Sequence, residues 1–436
     1  MLISFSVTNF GSIRDTQTLN MLAEKNIHHL DEYYVCEVAG KRILKAALIF
    51  GANASGKTTV LAALNFLRDM VTRPSESKSN KLDFMPFLMD DESHLSDSNF
   101  EIEFIQDSEV FNYDITFNRQ YIVKERLRSV TNKRIIYTRT TDVDSKLTKI
   151  KFGTKATAIE KYDLKFLSSN TLWNETVLSG FLKTNIKNKD LQIVSDWFKV
   201  YLHRLIRPNQ SLTEYVIDCI ESGKITKQDI IPILRQADFN ISDIQVKTTT
   251  TDDIGEYIKS KGAFMAKVND KRAKERYTIY DLKLQHQKAS GESATALPFD
   301  AESTGTQRYF GLAGVLYLLI ATNSCFMIDE MESSIHPELA KHFLLTFCAN
   351  ASNSQLLATS HNRELLNNKD IFRNDIILFT EKNSDCATEL YKLSDFDTSV
   401  IRDTSNILNA YNSGRLGGFP NLKDYYINSN RYGKEE

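Results

Sequence analysis

Three features of the sequence predict an α/β fold that is interrupted by a long inserted region. Near the start, an apolar strand at 45–50 leads through a glycine-bearing loop into a helical pattern at 60–67. Towards the end, short apolar strands at 326–328, 356–359 and 376–379 alternate with helical segments. Between these halves, β-like and helical segments follow one another without an internal repeat. Because such alternation is typical of a sheet covered by helices, we expect one α/β domain with an inserted α+β region.

The same pattern divides the chain into four predicted regions. Apolar and polar residues alternate at 3–8, and short alternating runs between 100 and 139 predict a β lobe. Apolar residues spaced by three and four from 191 to 205 predict a helix within a helical insertion. A charged stretch at 267–276 is expected to be a solvated turn. The first part of the α/β domain, with the β lobe, is expected at 1–155, and the helical insertion at 156–236. A β-rich return to the domain is expected at 237–300, and the final part of the domain at 301–436.

Composition argues against several classes of protein. The chain has 436 residues, of which 42% are apolar and 25% charged, as in ordinary globular proteins. The net charge of −2 gives no overall positive field for nucleic acid, although a local basic patch remains open. There is no signal-peptide pattern, the longest apolar stretch at 310–321 is too short to cross a bilayer, and the five cysteines form no CxxC pair. We therefore expect a cytoplasmic protein without a membrane partner.

The strongest motif is GANASGKT at 51–58, which matches G-x-x-x-x-G-K-[ST] in full. Its glycines let backbone N–H groups hold phosphate oxygens at the N-terminus of the following helix. Lys57 is expected to reach the β and γ phosphates, and Thr58 to bind Mg²⁺. The alternative is a chance glycine loop, and the strand before and the helix after the motif argue against it. The candidate nucleotide-binding residues here are Gly51, Asn53, Ser55, Gly56, Lys57, Thr58 and Thr59.

A second candidate site follows the apolar strand at 325–328, where Asp329 and Glu330 stand side by side. Asp329 suits the Mg²⁺ shell, and Glu330 suits the orientation and polarisation of an attacking water. The alternative is a strand that ends in two solvated acids. The order of the next segments favours the catalytic interpretation, since a turn at 333–337, a helix and another strand follow.

Two weaker candidates gain weight from their positions. His361 comes directly after the next strand, where it could contact a γ-phosphate, although a structural histidine is the alternative. Ser303 and Gly305 lie at the start of an apolar helix, and a helix N-terminus with free backbone donors attracts anions. The alternative for these two residues is a plain N-cap on a core helix.

Together these motifs resemble the ABC-ATPase superfamily, in the branch of SMC-like, RecF-like and OLD-like proteins. The resemblance implies an ABC-ATPase (P-loop NTPase) head with an inserted α+β region, which binds ATP and Mg²⁺. In it, 51–58 matches Walker A, Asp329-Glu330 matches Walker B, Ser303 and Gly305 match the signature, and His361 stands at the switch. Thr304 and Ile335-His336 depart from the usual signature glycine and D-loop residues. The sequence offers no clear Q-loop glutamine between 84 and 100.

A narrower resemblance is to the AbiL-type ATPases of prokaryotic abortive-infection systems. The segments VTNFGSIRD, GANASGKT, IDEMESSIHPELA and YNSGRLGGFPNL carry it. It implies an ATP-dependent homodimer or higher homo-oligomer, in which each nucleotide lies between Walker A of one chain and the signature of the other. It also implies a role as sensor or scaffold in anti-phage defence, beside a separate effector such as a toprim or RloB-like nuclease. Because the stretch after His361 is shorter than a typical domain, we expect no toprim nuclease within this sequence.

A second function, from another class, is open to the same sequence. SMC-like and RecF-like proteins include DNA-binding repair and recombination ATPases, so DNA binding is an alternative function for this chain. The near-neutral charge and the lack of coiled-coil arms argue against that alternative. A transport ATPase is a third alternative, which the long insertion disfavours. Arg14, shortly after the first strand, is expected either to approach the nucleotide or to be a solvated strand-end arginine.

Overall fold

The architecture comes from a computed structural model, which describes residues 1–251, 265–268, 277–288, 294–367, 371–396 and 407–419. The strands are β1 (Leu2–Thr8), β2 (Gln17–Asn20), β3 (Val35–Val38), β4 (Lys41–Leu44), β5 (Ala46–Gly51), β6 (Ser98–Gln106), β7 (Glu109–Phe117), β8 (Ile122–Ser129), β9 (Arg134–Asp142), β10 (Leu147–Phe152), β11 (Leu202–Ile206), β12 (Ile241–Thr251), β13 (Met265–Val268), β14 (Tyr277–Gln287), β15 (Ala294–Pro298), β16 (Cys325–Ile328), β17 (Gln355–Thr359), β18 (Ile377–Lys382) and β19 (Thr388–Lys392). The α-helices are α1 (Asp31–Tyr34), α2 (Lys57–Thr72), α3 (Lys161–Asn170), α4 (Val177–Leu182), α5 (Lys189–Asp196), α6 (Thr213–Glu221), α7 (Lys227–Gln236), α8 (Thr304–Ala321), α9 (Pro337–Asn350) and α10 (Ile407–Asn412).

A six-stranded sheet in the order β11-β16-β17-β5-β18-β19 forms the centre of the α/β domain. Its strands run parallel except β19, which is antiparallel to β18. Every residue of β5, β16 and β17 is buried, as expected for parallel strands covered on both faces. The strands predicted at 45–50, 326–328, 356–359 and 376–379 are therefore confirmed, and the α/β fold class with them. The carboxyl ends of β5, β16 and β17 meet at one edge of this sheet.

A second, seven-stranded sheet is antiparallel throughout, in the order β10-β9-β8-β7-β6-β1-β2. Ile3, Phe5 and Val7 of β1 are buried, as their alternation predicts. Helix α2 contacts β1 of this sheet and β5 and β17 of the central sheet. The β lobe thus packs on the helix that follows the glycine-bearing loop and holds it in place.

The prediction of a helix over 191–205 is wrong for the second half of that range. Helix α5 ends at Asp196, a π-helical turn spans Trp197–Tyr201, and β11 follows. Leu205 and Ile206 pair in parallel with β16, while the Asn65 side chain accepts from the Leu205 N–H at 2.9 Å. Apolar spacing cannot separate the two structures here, because pairing with a strand far along the chain overrides helical periodicity. The region 156–236, expected to be largely helical, therefore also supplies the edge strand of the central sheet.

The region 237–300 contributes a four-stranded sheet, in which β14 pairs with β12, β13 and β15. Lys267 and Val268, expected in a solvated turn, lie in β13, while 269–276 fall outside the described residues. Helix α7 contacts both β12 and α8, and so connects this sheet with the final part of the α/β domain.

Helix α8 is the most apolar helix near the predicted sites, and it is buried from Tyr309 to Leu316. A Cβ added to Gly311 would lie 2.4 Å from Leu212 Cβ, and one added to Gly314 would lie 2.5 Å from Val216 Cγ2. These glycines let α8 pack closely on α6. Among the described helices, none is both long and apolar enough to cross a membrane.

His203 in β11 gives a pH-dependent contribution to stability that can be tested. Its ring stacks on Phe326 at 3.9 Å between centroids, and burial, with the charges of Arg68 and Lys224, lowers its pKa to about 4. Below pH 6.5 this histidine is protonated in the unfolded chain but stays neutral in the folded chain until the pH nears 4. The free energy of unfolding should therefore fall by about 2 kcal/mol between pH 7 and pH 5. His203→Phe keeps a ring but cannot titrate. Urea unfolding at both pH values should show that loss only in the wild type, and equal pH dependence in both proteins would contradict the assignment.

Candidate nucleotide site

The loop at 51–58, here called the phosphate loop, connects β5 to α2 at the edge of the central sheet. Gly51 has φ 153° and Gly56 has φ 108°, so both adopt backbone conformations that favour glycine. A Cβ at Gly51 would lie 2.5 Å from the Thr380 carbonyl oxygen, and one at Gly56 would lie 2.2 Å from Thr388 Oγ1. The two motif glycines are thus required by φ and by the close approach of β18 and β19.

Hydroxyl groups from β18 and β19 fix the phosphate loop. Ser55 Oγ lies 2.6 Å from Thr380 Oγ1, and Thr388 Oγ1 donates to the Ser55 carbonyl oxygen at 2.8 Å. Both threonines are buried. The loop is therefore held by side chains more than 300 positions away in sequence, as the residue numbers show.

Lys57 is buried beneath the loop, and its ammonium donates to the carbonyl oxygens of Gly51 and Ala52, each at 2.9 Å. Burial lowers the pKa of Lys57, while the carboxylates of Glu330 and Asp329 act in the opposite direction. Both acceptors are neutral carbonyl groups. The ammonium is thus free to exchange them for phosphate oxygens, which are stronger acceptors because they are charged.

The predicted metal ligands Thr58 and Asp329 meet in the structure. Thr58 Oγ1 lies 3.0 Å from each carboxylate oxygen of Asp329, across the edge of the sheet between α2 and β16. Asp329 is buried, and Thr359 Oγ1 at the end of β17 donates to its Oδ1 at 2.7 Å. The two oxygen-bearing groups that the sequence placed in one metal shell are therefore adjacent.

Glu330 and His361 face one another beside this pair. Glu330 Oε1 lies 3.8 Å from His361 Nε2, and their side chains are 43% and 36% exposed. Burial lowers the pKa of His361, and the nearby Lys57 charge lowers it further. Neutral imidazole is therefore the favoured form at neutral pH. The Glu330 backbone has φ 48°, a left-handed conformation that is uncommon for a residue other than glycine.

Ser303 and Gly305 lie at the exposed N-terminal end of α8. Ser303 Oγ accepts from the Thr306 N–H at 3.1 Å, so Ser303 is the N-cap of the helix. A Cβ at Gly305 would lie 3.1 Å from the Ser334 carbonyl oxygen, which places this helix end beside the turn at 333–337. The described hydrogen bonds include none that joins Ser303 or Gly305 to the phosphate loop of the same chain.

The remaining candidates make other contacts. Thr59 Oγ1 lies 3.0 Å from Ser12 Oγ, and Asn53 is exposed at the tip of the loop. Arg14 forms ion pairs with Asp15 and Asp385, each at 3.0 Å. Its approach to a nucleotide stays a prediction.

A family model described as "AAA domain, putative AbiEii toxin, Type IV TA system" matches residues 46–177 and 228–367, which is more than half of the chain. This chain belongs to that family. The matched ranges of this AAA-domain family contain the phosphate loop, the Asp329-Glu330 pair and His361. The match is broader than the AbiL-type resemblance, which stays a prediction.

Comparison with solved structures finds SMC heads at low similarity. The crystal structure of the SmcHead bound to the C-winged helix domain of ScpA has a TM-score of 0.42 and 10% identity, and the alignment covers 90% of this chain and 97% of that chain. The SMC head domain from Thermotoga maritima has a TM-score of 0.37 and 10% identity, over 90% of this chain and 98% of that chain. A third structure is titled "Crystal structure of the Smc head domain with an extended coiled coil bound to the C-terminal domain of ScpA derived from Pyrococcus furiosus". It has a TM-score of 0.38 and 10% identity, and the alignment covers 90% of this chain and 96% of that chain. At TM-scores below 0.5, these similarities decide nothing about function. No curated protein matches the sequence.

The donor set of this AAA-domain chain fits Mg²⁺ bound with a nucleotide. Thr58 and Asp329 offer a hydroxyl and a carboxylate, which are hard oxygen ligands. Mg²⁺ is usually held by one or two such protein groups together with waters and substrate phosphates. The pair therefore suits a metal that arrives with ATP.

Sequence reasoning missed three residues that contact the candidate site residues or the strands that support them. Thr359 Oγ1, besides donating to Asp329, accepts from the Glu330 N–H at 2.8 Å. Glu332 Oε1 accepts from the His361 N–H, and Glu332 Oε2 is buried and has no hydrogen-bond partner among the residues that the structure describes. Ser12 Oγ contacts Thr388 Oγ1 at 2.8 Å as well as Thr59. A polar residue at the end of a buried strand, as at Thr359, is the one signal that could have found any of them.

Thr359 gives a sharp test of this arrangement. Thr359→Val keeps the shape but leaves Asp329 Oδ1 and the Glu330 N–H without their shared partner, which should cost about 1–3 kcal/mol of stability. Because the Asp329 carboxylate and the Glu330 backbone each lose a hydrogen bond, we expect ATPase kcat to fall roughly tenfold to a hundredfold. Thr359→Ser retains the hydroxyl and should stay close to wild type. Similar kcat values for the Val and Ser variants would show that this hydroxyl does not position the site.

Proposed function

We propose that this chain is an ATPase that binds Mg-ATP at the phosphate loop and hydrolyses it beside Glu330. The contact between Thr58 and the Asp329 carboxylate carries the proposal. It brings together a phosphate-binding helix end and a buried acid from two distant parts of the chain. That pairing is what a Mg-nucleotide site requires.

Each side chain then has a role that its surroundings support. Lys57 exchanges its carbonyl acceptors for the β and γ phosphate oxygens, and Thr58 with Asp329 holds Mg²⁺, which neutralises charge on those phosphates. Glu330 is half-exposed, so its carboxylate can accept a hydrogen bond from a water and orient it for attack. In this proposal neutral His361, whose Nε2 lies 3.8 Å from Glu330 Oε1, contacts the γ-phosphate through a hydrogen bond.

We further propose that the active form is a homodimer, or a higher homo-oligomer, with composite sites. Ser303 is exposed at the N-terminal end of α8, and the described residues of its own chain leave that end open to an anion. A second copy would place its phosphate loop there. The Ser303–Gly305 end of one protomer would then contact the γ-phosphate bound by its partner.

Mixing two inactive variants tests the composite site. Lys57→Ala should disable the phosphate loop and Gly305→Asp the helix end, so each variant alone should hydrolyse almost no ATP. A mixed dimer contains one site with both parts intact. Random exchange should therefore restore about a quarter of wild-type activity, since half of the dimers are mixed and each has one working site of two. No recovery, with exchange verified by differently tagged chains, would contradict sharing between protomers.

The biological role that we propose is control of a separate effector in prokaryotic anti-phage defence of the abortive-infection type. The family description names a toxin and a toxin–antitoxin system, which is consistent with such a role. The effector would be another protein, with a toprim-like or RloB-like nuclease as the first candidate. ATP-dependent assembly would hold it or release it, within the cytoplasm.

A pull-down with tagged Glu330→Gln protein from the native host tests this role. The variant should stay loaded with ATP, so a partner that depends on the ATP state should be recovered in stoichiometric amount. The Lys57→Ala protein, which should not bind ATP, is the matched control and should recover much less of it. Recovery of DNA without a protein partner would overturn the effector proposal and support a DNA-binding repair or recombination ATPase.

A further inference from the structure

The helical insertion presents two aromatic rings to solvent on helix α3. Tyr162 is 76% exposed and Phe166 is 44% exposed, although both are large apolar side chains. They stand four positions apart, so they share one face of the helix, with their Cβ atoms about 5–6 Å apart. Another face of α3 supplies the buried Leu167, and the helix contacts β10 and α4. The two rings are therefore carried by a packed helix, and the described part of the chain leaves both of them accessible.

A groove of about 660 Å³ lies beside these rings, between α3 and the loop at 183–187. None of the residues that line it belongs to the phosphate loop or to the Asp329-Glu330 pair. Its volume is within the range of ligand sites. The wall contains both rings together with charged and polar side chains, which are Glu160, Asp163, Lys183, Thr184, Asn185 and Lys187.

The surface around the groove is basic, in contrast with the chain as a whole. Between 155 and 189 the sequence has six lysines and three acids, whereas the net charge of the whole chain is −2. Lys183 pairs with Glu175 at 2.7 Å, and the next acid in sequence, Asp190, is buried and paired with Arg134. The other five lysines are exposed and form no ion pair with a described residue; they are Lys155, Lys161, Lys165, Lys187 and Lys189. These lysines give the face a local positive potential.

Lysines and rings alternate along α3. Lys161 directly precedes Tyr162, and Lys165 directly precedes Phe166, so each ring has a positive charge at the adjoining position. An aromatic ring offers a flat face on which any nucleobase can stack, while a lysine offers a charge to a phosphate. Stacking faces combined with cations are typical of surfaces that bind unpaired nucleotides.

We propose that this face of the helical insertion binds single-stranded RNA. Bases stack on Tyr162 and Phe166, and phosphates contact the lysines at positions 161, 165 and 187. In a duplex the bases already stack on one another, so their faces are not available to the two rings. The exposed rings therefore select the unpaired strand.

The acidic and polar groups of the groove favour RNA over an acidic protein segment and over DNA. Glu160 and Asp163 would repel a run of carboxylates, but they can accept hydrogen bonds from the amino groups of unpaired bases. The side chains of Thr184 and Asn185 can also accept from a ribose 2′-hydroxyl, which DNA lacks. These acceptors, set among lysines, offer contacts that only RNA can use in full.

Fluorescence anisotropy with labelled oligomers of about twelve nucleotides tests the proposal on the full chain in the absence of ATP. Oligocytidylate, whose bases carry amino groups, should bind more tightly than oligouridylate, whose bases have none, and more tightly than the matching DNA oligomer. Tyr162→Ala combined with Phe166→Ala should weaken binding of oligocytidylate at least tenfold. The exchanged pair, Tyr162→Phe with Phe166→Tyr, keeps both rings and should retain wild-type affinity.

Salt dependence tests the lysines separately. Replacing Lys161, Lys165 and Lys187 together by Gln should reduce the slope of log Kd against log salt concentration by about 2, since each phosphate contact to a single strand contributes about 0.7. Tyr33→Ala removes a 42% exposed ring from α1 and should change neither the affinity nor the slope. Because the replaced side chains are exposed, Tm should change little in every variant.

Several outcomes would count against the site. Equal binding of an RNA duplex would reduce the face to an unspecific positive patch, and equal binding of the DNA oligomer would remove the assignment to RNA. Tighter binding of an oligoglutamate peptide would identify an acidic protein segment as the partner. Absence of binding at physiological ionic strength, or full affinity in the double alanine variant, would overturn the proposal. None of these residues belongs to the nucleotide site and ATP is absent, so such results leave the proposed ATPase function untouched.

Discussion

Replacing Glu330 by Gln is expected to lower ATPase kcat by about 10²–10⁴-fold while the Kd for ATP changes little. The amide keeps the size of the side chain and its 3.8 Å approach to His361, but it cannot accept a proton from an attacking water. Asp329, Thr58 and Lys57, which hold Mg-ATP in our proposal, are untouched. The Glu330→Gln variant should therefore bind Mg-ATP but hydrolyse it very slowly.

Single-turnover hydrolysis and equilibrium ATP binding measure the two steps separately. Glu332→Gln is the matched control, since Glu332 lies two positions on, and its amide oxygen can still accept from the His361 N–H. We expect that control to lose less than a factor of about ten, because it changes only a supporting hydrogen bond. Wild-type hydrolysis by the Glu330→Gln protein would remove Glu330 from the mechanism.

The phosphate loop could be predicted from sequence because its constraints are local. Gly51 and Gly56 adopt positive φ, and no other residue type meets their contacts with β18 and β19. The Asp329-Glu330 pair follows from the same kind of signal, a short apolar strand that ends in acids. Since the carboxyl ends of parallel strands share one edge, placing these motifs on strands was enough to bring Thr58 and Asp329 together.

The parts that sequence could not predict depend on contacts between distant segments. The strand β11 has helical spacing, and only its pairing with β16 shows that it extends the sheet. Thr359 is one threonine among many until the fold places it between Asp329 and Glu330. The buried Arg308 likewise resembles any helix arginine in sequence, and only the fold shows that its Nε and Nη2 have no hydrogen-bond partner among the described residues.

Replacing Lys57 by Ala is expected to weaken ATP binding by about 10²–10⁴-fold, the largest effect on affinity that we predict. Lys57 is buried, and its only hydrogen bonds in the described structure are to the neutral carbonyl oxygens of Gly51 and Ala52. Each charge-assisted bond that it would form to a phosphate contributes about 1.5–3 kcal/mol, and two such bonds give that range. Because the carbonyls can be solvated when the ammonium is removed, the fold should survive.

Calorimetric titration with ATP and Mg²⁺ measures the loss, with thermal unfolding as the control for folding. Lys57→Arg retains a positive charge, but its larger planar group does not fit beneath a loop where Lys57 is already buried. It should therefore recover only part of the affinity, so charge alone is not sufficient. If Lys57→Ala bound ATP as the wild type does, the phosphate loop would not be the nucleotide site. The roles of Thr58 and Asp329 as metal ligands would then fail too, because both depend on phosphates held at that loop.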